Sequence, residues 1–257
     1  MEAFFFGPTD RQLYGVYHPP RRTRGLAEGV VLCYPMGQEY IRIHRAFRWL
    51  ADQLSAHGFH VLRFDYTGQG NSSGSFTTAS LAQWQRDAQH AVSELADATG
   101  VETVDVVGLR VGTLIAAQAA RHSLVRRVVC WEPRESGAAF RRELLGDDSS
   151  GAAAVIDQPD GTVARFGFPY TSALLDELAS TPFVPLTSRS RREALVVSAS
   201  RLGSLDAWTA ACEHAGVPVG CRVVDSAENW NSIDDMGGLY LPLPTMQSIV
   251  EWLHAEG

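Results

Sequence analysis

One stretch constrains the fold more than any other: Val104-Asp105-Val106-Val107-Gly108-Leu109-Arg110-Val111-Gly112-Thr113-Leu114-Ile115-Ala116-Ala117. Its first half is a valine-rich run of strand length, and its second half is rich in alanine, the best helix former. Between them Gly108 and Gly112 flank Arg110 in a G-x-R-x-G pattern. The pattern predicts a buried strand that turns sharply into a helix, holding the central side chain out at the strand's C-terminal end with the next amide N–H beside it. A serine in that place is a nucleophile. A guanidinium stays protonated in proteins and cannot attack a carbonyl, so this elbow presents a fixed cation instead.

The rest of the chain repeats the alternation of strand and helix. Short β-type runs at 3–6 and 13–18, separated by Gly7-Pro8-Thr9-Asp10, predict an opening hairpin. The apolar run 29–35 reads as a central strand covered on both faces, followed by the loop Pro35-Met36-Gly37-Gln38-Glu39-Tyr40 and a helix over 43–57. A strand at 61–65 runs into a glycine- and serine-rich loop; the apolar spacing of Leu81, Trp84, Ala88, Val92 and Leu95 then marks a helix before the elbow strand. Another strand, 124–131, stops at Glu132-Pro133. Residues 133–190 break the rhythm with a helix at 138–145, a hairpin of 152–156 with 162–166, and a short helix at 173–179. Strands at 193–198 and 219–224, with helices at 205–214 and 246–254, then resume it. The expected architecture is α/β: a mostly parallel sheet of about eight strands with helices on both faces, its core formed by 1–132 and 191–257 and a small cap inserted at 133–190.

Composition excludes several alternatives. With 257 residues, 45% of them hydrophobic, the chain suits one soluble domain with a sizeable core. A formal charge of −7 gives no basic face for nucleic acid or an anionic membrane. All 22 positive charges are arginine, so arginine clusters at 21–24 and 189–192 carry little weight as sites. The cysteines, Cys33, Cys130, Cys212 and Cys221, form no C-x-x-C, and no metal constellation or dinucleotide fingerprint is present, so neither a metal nor a cofactor is expected. No segment has signal-peptide or membrane-spanning character, which points to the cytoplasm.

In an architecture of this kind a catalytic acid follows the sixth or seventh strand and a histidine follows the eighth. Here Ala199-Ser200-Arg201-Leu202-Gly203-Ser204 carries no carboxylate, and the segment from Asp225 through Asn229, Trp230 and Ser232 carries no histidine. Nucleophile and base are missing together. A cation at a helix N-terminus works against the macrodipole unless an anion lies close, and the two carboxylates best placed to supply one are Glu39 first and Glu132 second. Arg110, Glu39 and Glu132 are therefore the candidate catalytic residues. Met36 and Val111, as sources of oxyanion-hole N–H groups, and His44, Asn229 and Trp230, as pocket residues, are the candidate substrate contacts.

Taken together, Met1-Glu2-Ala3-Phe4-Phe5, His18-Pro19-Pro20, Gly108-Leu109-Arg110-Val111-Gly112, Trp131-Glu132-Pro133 and Asn229-Trp230-Asn231 resemble the α/β-hydrolase-fold proteins called exosortase A system-associated hydrolases, the second type more closely. That family carries arginine at the elbow, so the resemblance implies that Arg110 is native. It also implies an acyl substrate, small or carrier-protein-bound as a thioester; recruitment of a sibling to specialised metabolism is a separate expectation. Glu132 and the Asn229-Trp230-Asn231 run depart from the family's residues and alter the pocket rim, so substrate identity does not carry over. Three readings follow. One is an enzyme that stabilises a carboxylate, enolate or oxyanion on Arg110 for cyclisation, elimination, acyl transfer or unconventional hydrolysis. The others are a catalytically inactive binding or scaffold protein, and a hydrolase with a relocated nucleophile such as Cys33.

Overall fold

The elbow strand lies near the middle of an eight-stranded sheet. In the computed structural model, described over residues 1–22, 27–146, 155–181, 193–199, 203–226 and 241–255, the sheet contains β1 (Glu2–Phe6), β2 (Leu13–His18), β3 (Glu28–Cys33), β4 (His60–Phe64), β5 (Thr103–Leu109), β6 (Val125–Trp131), β10 (Glu193–Ser198) and β11 (Val219–Val223). Their order is β1-β2-β4-β3-β5-β6-β10-β11, with β2 antiparallel to β1 and β4 and every other pairing parallel. All six residues of β3 are buried, as a parallel strand covered on both faces requires.

Helices cover both faces. They are α1 (Gln38–Ala56), α2 (Leu81–Thr99), α3 (Gly112–Ala119), α6 (Gly203–His214) and α7 (Leu243–Ala255). Side chains alternate along β5, so Asp105 and Gly108 point to opposite faces. A Cβ on Gly108 would meet Ala116 of α3, whereas Asp105 accepts two hydrogen bonds from Arg127, whose Nη2 also donates to the Leu253 carbonyl of α7 at 3.0 Å. Thus α3 and its neighbour α2 lie on one face, α7 and its neighbour α1 on the other. Arg127 is fully buried, and its bidentate pairing with Asp105 satisfies a charge that would otherwise be costly there.

Between β6 and β10 the chain leaves the sheet. It forms α4 (Gly137–Leu145), a three-stranded antiparallel sheet of β7 (Ile156–Asp157), β8 (Val163–Arg165) and β9 (Phe168–Tyr170), and α5 (Ser172–Ser180). The third strand, β9, follows a turn at Phe166-Gly167 in which both residues have positive φ, a hairpin too short to show in apolar alternation. Residues 152–154 of the expected first strand lie outside the described residues. This segment is tied to the sheet's helices at two points. Trp208 Nε1 of α6 donates to the Arg134 carbonyl at 2.8 Å, and the Glu177 carboxylate of α5 accepts the first-turn N–H groups of Leu81 and Ala82 in α2 at 2.8 and 2.7 Å. The second contact satisfies two amides that a helix start leaves open, with the charge sign the dipole favours.

One element starts earlier than its sequence suggests. α1 begins at Gln38, five residues before the apolar spacing does, because its first turn is polar, with Gln38 and Glu39 beside the elbow and the Tyr40 hydroxyl on Asp65. Among the described residues no helix is long and apolar enough to cross a membrane.

Candidate functional site

Arg110 stands at the C-terminal end of β5 with φ 56°, in the left-handed region that a branched or long side chain rarely occupies. The turn is fixed from several sides. The Arg110 amide donates to the Trp131 carbonyl at 2.9 Å, its own carbonyl accepts from Thr113 Oγ1 at 2.6 Å, and α3 starts two residues on. Both glycines are needed. A Cβ on Gly112 would press on the carbonyls of Cys33 and Tyr34, and one on Gly108 on the Gly112 carbonyl, so the strand-to-helix packing is too close for any other residue.

The guanidinium is 2% exposed and is held by two carboxylates. Its Nε and Nη2 lie 3.0 and 2.9 Å from Glu39 Oε1, in the first turn of α1, and Nη2 lies 2.5 Å from Glu143 Oε1. Burial by itself disfavours its charge, but Glu39 and Glu143 outweigh that and raise the guanidinium pKa further. The Phe140 ring lies 5.5 Å below its carbon, a cation–π contact. Glu143 is shared: Arg134 Nε reaches its Oε2 at 2.6 Å. Burial pushes the Glu143 carboxyl up, but Arg110 and Arg134 together hold it down at about 2, so it is ionised at any ordinary pH. It is placed by Arg165 of β8, whose buried Nη1 donates to the Glu143 carbonyl at 2.7 Å and to the Leu144 carbonyl, closing the end of α4 with a cation.

The second carboxylate on Arg110 is therefore Glu143 and not Glu132. Glu132 also has positive φ, 48°, but its side chain turns the other way. It accepts from Ser198 Oγ at 2.7 Å and from the Ala199 amide at 2.5 Å, and holds the chain as it leaves β10. The chain bends at Glu132 immediately after its amide bonds to Val197, and the carboxylate sits at the end of β10 with Oε2 3.7 Å from Arg134 Nη1, so it meets the Arg110 cluster only through Arg134.

One donor of Arg110 remains over. Nη1 is buried and has no hydrogen-bond partner among the described residues. Arg110 borders a cavity of about 30 Å³ walled by Met36, Glu39, Val111 and Phe140 and, from the inserted segment, by Phe166 and Tyr170. The amide N–H groups of Met36 and Val111 likewise find no acceptor among the described residues. Tyr170 reaches in only because position 37 is glycine, at φ 60°; a Cβ there would strike its hydroxyl. Burial, with Glu39 nearby, raises the Tyr170 pKa, so the phenol keeps its proton.

The structure thus brings Arg110, Glu39, Met36 and Val111 to one cavity. His44 is not there: it lies in the second turn of α1, beside a different cavity bounded by Tyr34 and Arg63. Asn229 and Trp230 lie outside the described residues. Sequence reasoning missed Glu143, Phe140 and Tyr170, all from the inserted segment, where the pattern shows a helix but not which of its faces meets the elbow. Of the thiols, Cys33 is buried beside this region, and burial pushes it up to about 12 despite a hydrogen bond to Tyr66, which leaves it unreactive. No group of residues that could hold a metal is present among the described residues.

Comparison with known proteins bears on the fold. Residues 28–133 match the family described as serine aminopeptidase, S33. A search of curated protein sequences found no match. Among solved structures, Est1E from Butyrivibrio proteoclasticus with ferulic acid bound is similar at TM-score 0.70 and 15% identity, over 99% of this chain and 97% of that one. A hypothetical protein from Pseudomonas aeruginosa gives TM-score 0.72 at 18% identity, over 99% and 92%. An esterase of Pyrococcus furiosus gives 0.63 at 15%, over 99% and 87%. Sheet order, elbow and structural neighbours together show that the chain has the α/β-hydrolase fold.

Proposed function

We propose that the protein is an enzyme of the α/β-hydrolase fold that works without a Ser-His-Asp triad, stabilising negative charge that develops on an acyl substrate. The observation that carries this reading is the buried, unpartnered Nη1 of Arg110, a residue that lines one cavity with Met36 and Val111, whose amide N–H groups find no acceptor among the described residues. Three preorganised donors around one small space form an oxyanion site, and such donors contribute most where water is excluded. Glu39 and Glu143 already neutralise the guanidinium, so a full carboxylate entering the cavity would be repelled. A carbonyl oxygen that becomes an oxyanion or enolate during reaction fits better. Glu143 is locked as a carboxylate between two arginines and serves as a clamp; Glu39, at the cavity wall, is the group that moves protons.

The substrate class is an activated acyl group, small or carried as a thioester on a carrier protein, and the reaction is cyclisation, elimination, acyl transfer or hydrolysis by water. Biosynthesis of a specialised product suits such chemistry. The resemblance to exosortase-associated proteins and the esterase among the structural neighbours support the acyl class.

The test is turnover of acyl N-acetylcysteamine thioesters and p-nitrophenyl esters by purified variants, with melting temperatures measured in parallel. Arg110→Ala should lose about a hundredfold to a thousandfold in kcat while staying folded, because one oxyanion donor contributes that much. Arg110→Lys keeps the charge but not the fork and should be strongly impaired, and Cys33→Ala should remain active. Wild-type turnover by Arg110→Ala would refute the proposal.

A second reading has its own observation. The cavity holds only one or two waters at its volume of about 30 Å³. A catalytically inactive binding protein, with Arg110 as a plug, would show no turnover on either substrate class and unchanged partner binding in Arg110→Ala.

A further inference from the structure

A larger cavity, about 290 Å³, lies on the α1 side of the sheet between that helix and the opening hairpin. Its floor is Arg63 of β4, a buried arginine at 4% exposure with no carboxylate in ion-pair distance among the described residues. Every other arginine of comparable burial either has a carboxylate partner, as Arg110 and Arg127 do, or closes a helix end, as Arg165 does. Arg63 instead donates from Nε to the His18 imidazole at 3.1 Å and from Nη1 to the Tyr34 hydroxyl at 2.9 Å. Both acceptors are neutral, and Nη2 has no partner among the described residues. Asp52 reaches Arg63 only through the His18 imidazole, 2.9 Å from its Nδ1, and a buried charge with no counter-ion in direct contact is costly, so its retention points to an anion supplied from outside.

The surroundings match. Because the Tyr34 hydroxyl accepts from Arg63, its own proton is left to donate into the cavity. His44 and Arg48, four residues apart on α1, share the face that forms the rim. Asp65 is also on the wall, but its two oxygens are taken by the Tyr40 hydroxyl at 2.7 Å and the Asn71 amide at 2.9 Å. Arg63 and Arg48, with the α-ammonium of Met1 also on the wall, outnumber Asp65, an excess of positive charge that suits an anion. The opposite wall is apolar, formed by Ala3 and Val16 of the hairpin and by Phe64.

We propose that this cavity is a second ligand site, separate from the elbow, that takes a small organic monocarboxylate with its carboxylate on Arg63 and Tyr34 and its carbon chain along Ala3, Val16 and Phe64. The size agrees with a short acid, since ligand pockets begin at roughly 300 Å³. The proposal does not rest on the function of Arg110.

The experiment titrates hexanoate, with inorganic phosphate as the comparison, into isotope-labelled protein and follows binding by NMR shift mapping and calorimetry. Hexanoate should bind wild type and Arg110→Ala equally, with shifts at Tyr14, Ala3 and Asn71, and should bind Arg63→Gln at least tenfold more weakly. Arg63 also braces His18 and Tyr34, so a second variant guards against a folding artefact: Ala3→Trp, on the exposed edge strand, fills the mouth and should weaken binding to the same degree. Absence of saturable hexanoate binding, a preference for phosphate, loss of binding in Arg110→Ala, or unchanged affinity in a folded Ala3→Trp would each overturn the assignment.

Discussion

Glu143 shows how one side chain in the inserted segment sets the state of the elbow. Its carboxyl is held at about 2, against an ordinary value of 4.5, by Arg110 and Arg134. Above pH 4.5 it is ionised whether the chain is folded or not, and its full contribution to stability is present. As pH falls from 4.5 toward 2, the unfolded chain takes up a proton that the folded state refuses, and stability is lost. Glu143→Gln removes this dependence. The stability difference between wild type and Glu143→Gln should therefore shrink by about 2 kcal/mol between about pH 6 and about pH 3 in urea denaturation, and a constant difference would show that the clamp is not ionic. In the sequence, Arg110 and Glu39 can be singled out because the strand, turn and helix pattern places both at the sheet's C-terminal edge. Glu143 cannot, since its contact depends on how the inserted α4 is set beside the elbow, where Arg165 holds its last carbonyls. Glu132 misleads for a related reason: a strand ending at Glu-Pro is legible, but the φ of 48° that swings its carboxylate toward β10 is not.

At the scale of the element, the elbow is a packing device before it is a chemical one. The carbonyls of Cys33 and Tyr34 lie where a Cβ of Gly112 would be, so the end of β3 and the start of α3 touch backbone to backbone. Gly112→Ala should destabilise by about 1–3 kcal/mol, the usual cost of an overpacked core site, as measured by urea denaturation. Gly203, at the start of α6, has nothing within 4 Å of its would-be Cβ, and Gly203→Ala should be neutral or slightly stabilising. Equal effects at the two positions would mean that helix propensity, not close approach, governs the elbow. Parallel strands and their helices were legible because burial on both faces forces continuous apolar runs and a 3.6-residue period. The start of α1 was not, because a helix turn that faces a polar site carries no apolar signal. Strand β9 was hidden by its brevity, three residues being too few for any period to show.

At the scale of the whole molecule, one face of the fold is drawn together by ion pairs and the other by the inserted segment. On the first, Arg127 joins β5, β6 and α7 through Asp105 and the Leu253 carbonyl. On the second, Glu177 of α5 grips the first turn of α2, while Tyr170 and Phe166 from the same segment close the cavity at Arg110. If the substrate proposed above enters by lifting Phe166 and Tyr170, and α5 lifts with them, the Leu81 and Ala82 amides lose the oxygens that shield them from water. Their deuterium uptake is then a clock for admission to the elbow, read far from the chemistry and without knowing the substrate. In wild type both amides should exchange slowly, at the rate of the segment's own excursions, while in Glu177→Ala they should exchange as freely as an uncapped helix start and the amides of β5 should keep their protection. Slow exchange at both positions in Glu177→Ala would uncouple α5 from the first turn of α2, leaving the elbow to be reached through side-chain motion of Tyr170 and Phe166 alone.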